Sequence, residues 1–178
     1  MNTNTNWVLD PAHSEILFKV KHLMISNVKG TFKKFEGTLR TEGADFSKSS
    51  FEVVLDAASI FTNEENRDNH LRSADFFDVE NHKDIHFTGT SFENQYQQNY
   101  VLKGLLTIKG ISKEVSLNVE FGGINKDPWG NEKAGFEVSG KINRKDWGLT
   151  WNAALETGGV LVSDEIIISA DVQYLKQV

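Results

Sequence analysis

The sequence predicts an all-β fold, an eight-stranded antiparallel barrel with one short helix covering it. Three observations carry this. Apolar and polar residues alternate with a period of two in segment after segment, which marks strands with one dry and one wet face. Glycines recur inside those segments, at Gly30, Gly37, Gly89, Gly104, Gly135 and Gly140. There they weaken a flat sheet but relieve sharp curvature. Only one stretch carries a helical signature. A two-sheet sandwich would satisfy the alternation too; the glycines and a phase slip in the second strand favour the barrel.

In the first strand, Ile16, Phe18, Val20 and His22 fall on one face and Leu17, Lys19 and Lys21 on the other. Val28, Gly30 and Phe32 continue the pattern in the second strand. Phe35, Gly37 and Leu39 resume it one step out of phase, so a β-bulge is expected at Lys33-Lys34. A loop is expected over 41–50, then a third strand with Phe51, Val53, Leu55 and Ala57 inward. Thr62 and Glu65 have the spacing of a capping box and open a polar helical segment over 64–74, with Asp68 and Arg72 four apart. Its only apolar residues are Leu71 and Ala74, so it can cover a core but not build one. Phe76 and Phe77 follow it. Ile85 and Phe87 begin the fourth strand, which runs towards Phe92. Tyr100 to Ile108 mark the fifth, Val115 to Phe121 the sixth, Ala134 to Ile142 the seventh and Ile166 to Tyr174 the eighth. No repeat, linker or low-complexity tract divides the chain, so residues 1–178 are read as one domain.

Composition excludes several functions. A formal net charge of −6 argues against nucleic-acid binding, which needs clustered Lys and Arg. Without cysteine there is neither a disulfide nor a thiolate metal site. No apolar run approaches the roughly 20 residues of a membrane helix, so stable membrane insertion is not expected. The amino end, Met-Asn-Thr-Asn-Thr-Asn, lacks the basic and apolar regions of a signal peptide. A cytoplasmic location is expected, with a periplasmic one as the alternative if a signal peptide has been removed.

His13-Ser14 invites a nucleophile-and-base reading, but neighbours on a strand point to opposite faces and cannot bond side chain to side chain. The pair is read as a polar start to the first strand. His82 and His86 precede a strand pattern, where four residues separate them by roughly 13 Å, too far to share one ion. No metal site and no catalytic residue are therefore expected. His22 falls on the dry face, as a core histidine or as a polar group at a pocket mouth. Arg67, Asp68 and His70 either stand beside it or form a solvated helix face. Phe18, Phe32, Phe35, Phe51, Phe87, Phe121 and Phe136 share inward parity. Eight-stranded barrels are just wide enough to be filled by such rings or to hold one small ligand. Inward Gly30 and Gly104 leave room that the rings only partly take up.

A longer pattern joins these residues: Trp7, Asp10, His13-Ser14, Phe18, Val20 and His22; Gly30, Phe32, Phe35 and Gly37; Arg67-Asp68 and His70-Leu71; Phe76-Phe77; Ile85 with Phe87; Gly104 to Gly110; Arg144, Asp146 to Leu149, Trp151, Val162, Asp164 and Ile166. It resembles the YceI-like family, the polyisoprenoid-binding proteins with a lipocalin-like barrel. The chain departs from it at His82-Lys83 and at Glu114, where members often carry proline. It also lacks the Gly-x-Trp start of true lipocalins, Trp7 following Asn6.

The resemblance implies a hydrophobic tunnel holding a long prenyl chain, a homodimer, and a carrier or sequestering role without catalysis. No cofactor is implied beyond a bound polyisoprenoid or isoprenoid-quinone-type lipid. The expected ligand contacts are Phe18, Val20, His22, Phe32, Phe35, Phe51, Val53, Arg67, His70, Leu71, Phe76, Phe77, Phe87, Leu102, Leu106, Phe121, Phe136 and Trp147. Among them His22, Arg67 and His70 would choose an anionic or quinone head. The alternatives are an enzyme acting on an isoprenoid lipid, with His22 or His13 as base and Asp68 as its partner, and a dry barrel serving as an interaction module.

Overall fold

The computed structural model describes residues 3–178. Its strands are β1 (Asn4–Leu9), β2 (Glu15–His22), β3 (Ser26–Phe32), β4 (Phe35–Glu42), β5 (Asp45–Asp56), β6 (Ile60–Phe61), β7 (Asp84–Tyr96), β8 (Asn99–Ile108), β9 (Ile111–Lys126), β10 (Glu132–Asn143) and β11 (Val162–Lys176). The helix α1 spans Glu65–Arg72. Strands β1, β4, β5, β7, β8, β9, β10 and β11 pair in that order, and β11 returns to β1, closing an eight-stranded antiparallel barrel.

The three additional strands continue those eight. A 3-10 turn at Pro11–His13 separates β1 from β2, and both pair with β11. Lys33-Lys34 separates β3 from β4, and a second 3-10 turn, Ala57–Ser59, separates β5 from β6. β3 pairs with β6 just as β4 pairs with β5. The phase slip at Lys33-Lys34 is thus the point where pairing of β3 with β6 ends and pairing of β4 with β5 begins. The amide N–H groups of Lys33 and Lys34 turn aside to bond Ser59. Register shifts occur beside two of the in-strand glycines, at Gly89 and at Gly135.

Two local expectations fail. Residues 41–50 are mostly strand, the end of β4 and the start of β5 joined through Gly43 in the left-handed region. Phe46 is the inward residue of that segment and is buried. The helix is capped by Glu64, whose carboxylate accepts from the amides of Asn66 and Arg67, and not by Thr62. Asp68 accepts instead from the Thr62 amide at 2.8 Å and from its hydroxyl, while Arg72 bonds the carbonyls of Ala58 and Ile60. These contacts tie α1 to β6 across the barrel end.

Candidate functional site

The barrel interior divides into a solid half and a hollow half. At the end carrying the β4–β5 turn, rings fill it. Phe46 lies 4.8 Å from Phe121 and 5.8 Å from Trp7, and Phe92 stacks on Tyr100 at 4.4 Å. Phe51, Phe92, Phe136 and Tyr174 cap this plug and form the cavity floor. Above them opens a cavity of about 550 Å³, within the range of about 300–1,000 Å³ usual for small-molecule sites. Aliphatic and aromatic side chains make up nearly the whole wall.

Of the residues expected to contact a ligand, most line this cavity: Phe18, Val20, His22, Phe32, Phe51, Val53, Arg67, His70, Leu71, Phe76, Phe77, Phe87, Leu102, Leu106 and Phe136. Phe35, Phe121 and Trp147 do not. Phe35 packs against the surrounding core, and Phe121 stacks on Phe136 inside the plug at 5.1 Å. Trp147 is buried in a 3-10 turn, its Nε1 donating to the Leu106 carbonyl at 2.8 Å. Inward parity is blind to depth along the barrel, and Phe121 lies too near the plugged end.

Sequence reasoning missed one whole wall. Ile166, Ile168, Ala170, Val172 and Tyr174 line the cavity along β11, and their shared parity with the other strands was the available signal. Tyr174 is 3% exposed, and its hydroxyl makes no hydrogen bond among the described residues. Burial pushes that hydroxyl's pKa well above the ordinary tyrosine range.

The mouth is built from α1, Phe76, Phe77 and the 149–162 segment. His70 packs edge-on against Trp151 at 4.6 Å and against Phe76 at 5.1 Å, and its Nε2 meets Asp75 at 2.8 Å. Arg67 spends its Nε and Nη2 on the Thr62 hydroxyl and carbonyl, both at 2.7 Å. The His22 ring lines the cavity half-buried and has no hydrogen-bond partner among the described residues. Asp68 lies outside the lining, held by Thr62, so the pairing of His22 with Asp68 as acid and base is not formed.

A residue quoted only as part of a pattern proves structural here. Arg144 is 2% exposed and donates to the carbonyls of Leu149, Trp151, Val162 and Ser163. Burial lowers its pKa, opposed by the Asp164 carboxylate 3.8 Å away. One guanidinium thus staples the two ends of the 149–162 segment together beside the cavity.

The YceI-like domain family matches residues 7–174. The chain belongs to this family. A UPF0312 protein of Staphylococcus epidermidis is 42% identical over 96% of this chain and 97% of its own length. A Campylobacter jejuni YceI protein of known structure is 34% identical, with a TM-score of 0.76 over 90% of this chain and 91% of that one. A polyisoprenoid-binding domain from Saccharophagus degradans shares the fold at 15% identity, with a TM-score of 0.70 over 96% of this chain and 98% of that one.

The remaining polar pattern of this YceI-like chain lies away from the cavity. Asp10 caps the 3-10 turn between β1 and β2, accepting from the Ala12 amide at 3.1 Å, and its other oxygen meets His13 at 2.8 Å and Lys133 at 3.2 Å. The Ser14 hydroxyl accepts from the Gln173 amide at 3.0 Å. His13 and Ser14 therefore hold a kink in the wall. His86 lies 3.9 Å from Asp84 on an exposed face, and His82 lies under Gly110. No group of three or more potential metal-ligating side chains occurs among the described residues.

Proposed function

We propose that this YceI-like barrel binds a long-chain polyisoprenoid or similar amphiphile in its cavity and carries or sequesters it. The observation that carries the reading is the apolar cavity of about 550 Å³ above the aromatic plug. Water gains little in such a space, having too few polar partners. An apolar chain gains about 0.8 kcal/mol per buried methylene, less the cost of ordering the chain and of association. The polyisoprenoid-binding domain that shares this fold supports the same ligand class.

The polar groups at the mouth select the head. His70 is engaged by Asp75, and Arg67 by Thr62 through two of its three nitrogens. His22 and the Nη1 of Arg67 are left to meet an anionic or quinone head. Delipidated protein titrated with prenyl compounds of increasing length tests this. Affinity is expected to rise with each unit until the cavity is full and then level off. His22→Leu should change the ranking of head groups at constant tail length. Affinity independent of tail length would contradict the proposal.

A further inference from the structure

The turn between β2 and β3 is built from residues that neither its backbone nor water favours. Leu23 and Met24 are its two central residues, at φ 54° and 59°, closed by the Ile25 amide donating to the His22 carbonyl at 3.2 Å. Primed turns of this kind are satisfied by Asn-Gly, because bulky side chains are strained in the left-handed region. Leu23 is 40% exposed, Met24 52% and Ile25 82%, so three consecutive apolar side chains stand in solvent. Val160, 40% exposed, lies in the neighbouring segment, to which the Leu23 amide is tied through the Leu161 carbonyl at 2.9 Å. His22 and Leu161 line the cavity and Leu23, Met24 and Ile25 do not, so the tip stands beside the mouth without forming its wall.

The charge around this tip opposes that of the molecule. The chain as a whole carries −6, yet the β2–β3 hairpin that carries the tip holds Lys19, Lys21 and Lys29 against Glu15 alone, with Lys33 and Lys34 beyond its far end beside Ser59. Lys19 and Lys29 are directly paired on the outer face of β2 and β3. None of the five forms an ion pair among the described residues.

We infer that the Leu23-Met24-Ile25 tip and its flanking lysines dock this side of the cavity mouth onto an anionic lipid surface. The apolar side chains enter the acyl boundary while the lysines meet the head groups. A second copy of the chain fits the same patch poorly, since a two-fold contact would set lysine-rich hairpins against each other. The docking goes beyond the carrier reading and does not require it: the tip can bind a bilayer whether the cavity is filled or empty.

The test is co-sedimentation of the full chain with phosphatidylglycerol–phosphatidylcholine vesicles and with pure phosphatidylcholine vesicles. Binding is expected to the anionic vesicles alone, despite the protein's negative charge, and to fall about fivefold for each of Lys19, Lys21 and Lys29 changed to Gln. The double variant L23N/M24G should lose vesicle binding while its melting temperature stays the same or rises, because the turn is relieved. That variant's unchanged lipid occupancy would separate docking from cavity binding. Equal sedimentation of wild type and L23N/M24G would overturn the inference. So would a wild-type dimer that this variant dissociates, with no vesicle binding by either protein.

Discussion

The ring of Phe87 lies across Gly104 so closely that a Cβ on that glycine would stand 2.5 Å from the ring's Cζ and 2.5 Å from the Thr88 carbonyl oxygen. Phe18 treats Gly30 in the same way, its Cζ 2.2 Å from the position a Cβ would take. The inward glycines therefore do not leave room for ligand; they leave room for rings that fold flat against the wall. The hollow persists because those rings lie along the barrel wall.

Gly104→Ala is consequently expected to destabilise the barrel by about 1–3 kcal/mol, the usual cost of overpacking. Urea melts measure this. Gly135→Ala is the control, since a Cβ there meets nothing within 4 Å, and it should shift the midpoint far less.

Blocking the cavity calls for a larger side chain at a position that already faces the hollow. Ile168 lies on the inward face of β11, and Ile168→Trp should push an indole into the hollow. The variant is expected to fold with a far-ultraviolet spectrum like the wild type and to retain less than about a tenth of its prenyl-ligand affinity, a loss of about 1.4 kcal/mol or more. Unchanged affinity would place the ligand elsewhere.

Arg144→Met keeps the bulk of the side chain but removes the donors that four carbonyls share. Buried acceptors left unpaired cost about 1–3 kcal/mol each, partly offset where water enters. A loss of about 3 kcal/mol in chemical denaturation is expected, together with faster hydrogen exchange at the amides of 149–162.

Asp10 supplies a pH dependence. Burial alone would raise its carboxyl pKa, but hydrogen bonds from His13 and Lys133 hold it below the usual carboxylate range. A depressed pKa in the folded state means stability that is fully present above about pH 4 and lost as pH falls through the depressed value. Asp10→Asn keeps the cap but removes the charge that faces Lys133, and should therefore cost about 0.5–1 kcal/mol at pH 7. The gap between variant and wild type should narrow below pH 4, as thermal melts across pH 2–7 would register.

How much was legible follows from which rule governs each residue. Alternation is a local property, so the eight-stranded barrel and the cavity-lining positions of Phe18, Val20 and Phe87 could be read from the chain. Depth along the barrel is not local. Phe121 carries the same parity as Val119 yet belongs to the plug, because Phe46 reaches it from a segment whose Ser-Lys-Ser-Ser composition reads as loop. Arg144 was equally opaque, since the carbonyls that it binds lie five to nineteen residues away, in a segment without regular periodicity. The strained tip at Leu23-Met24 could not be read from the chain, because Leu and Met carry none of the Asn-Gly signal that marks a left-handed turn.

The central claim is that the hollow above the aromatic plug holds one long apolar chain, and native mass spectrometry of protein purified without organic solvent tests it most directly. The account predicts a species heavier than the polypeptide by the mass of one isoprenoid lipid per chain, lost on denaturation and absent from Ile168→Trp. The bare polypeptide mass, or an adduct equally abundant in the wild type and in Ile168→Trp, would contradict it.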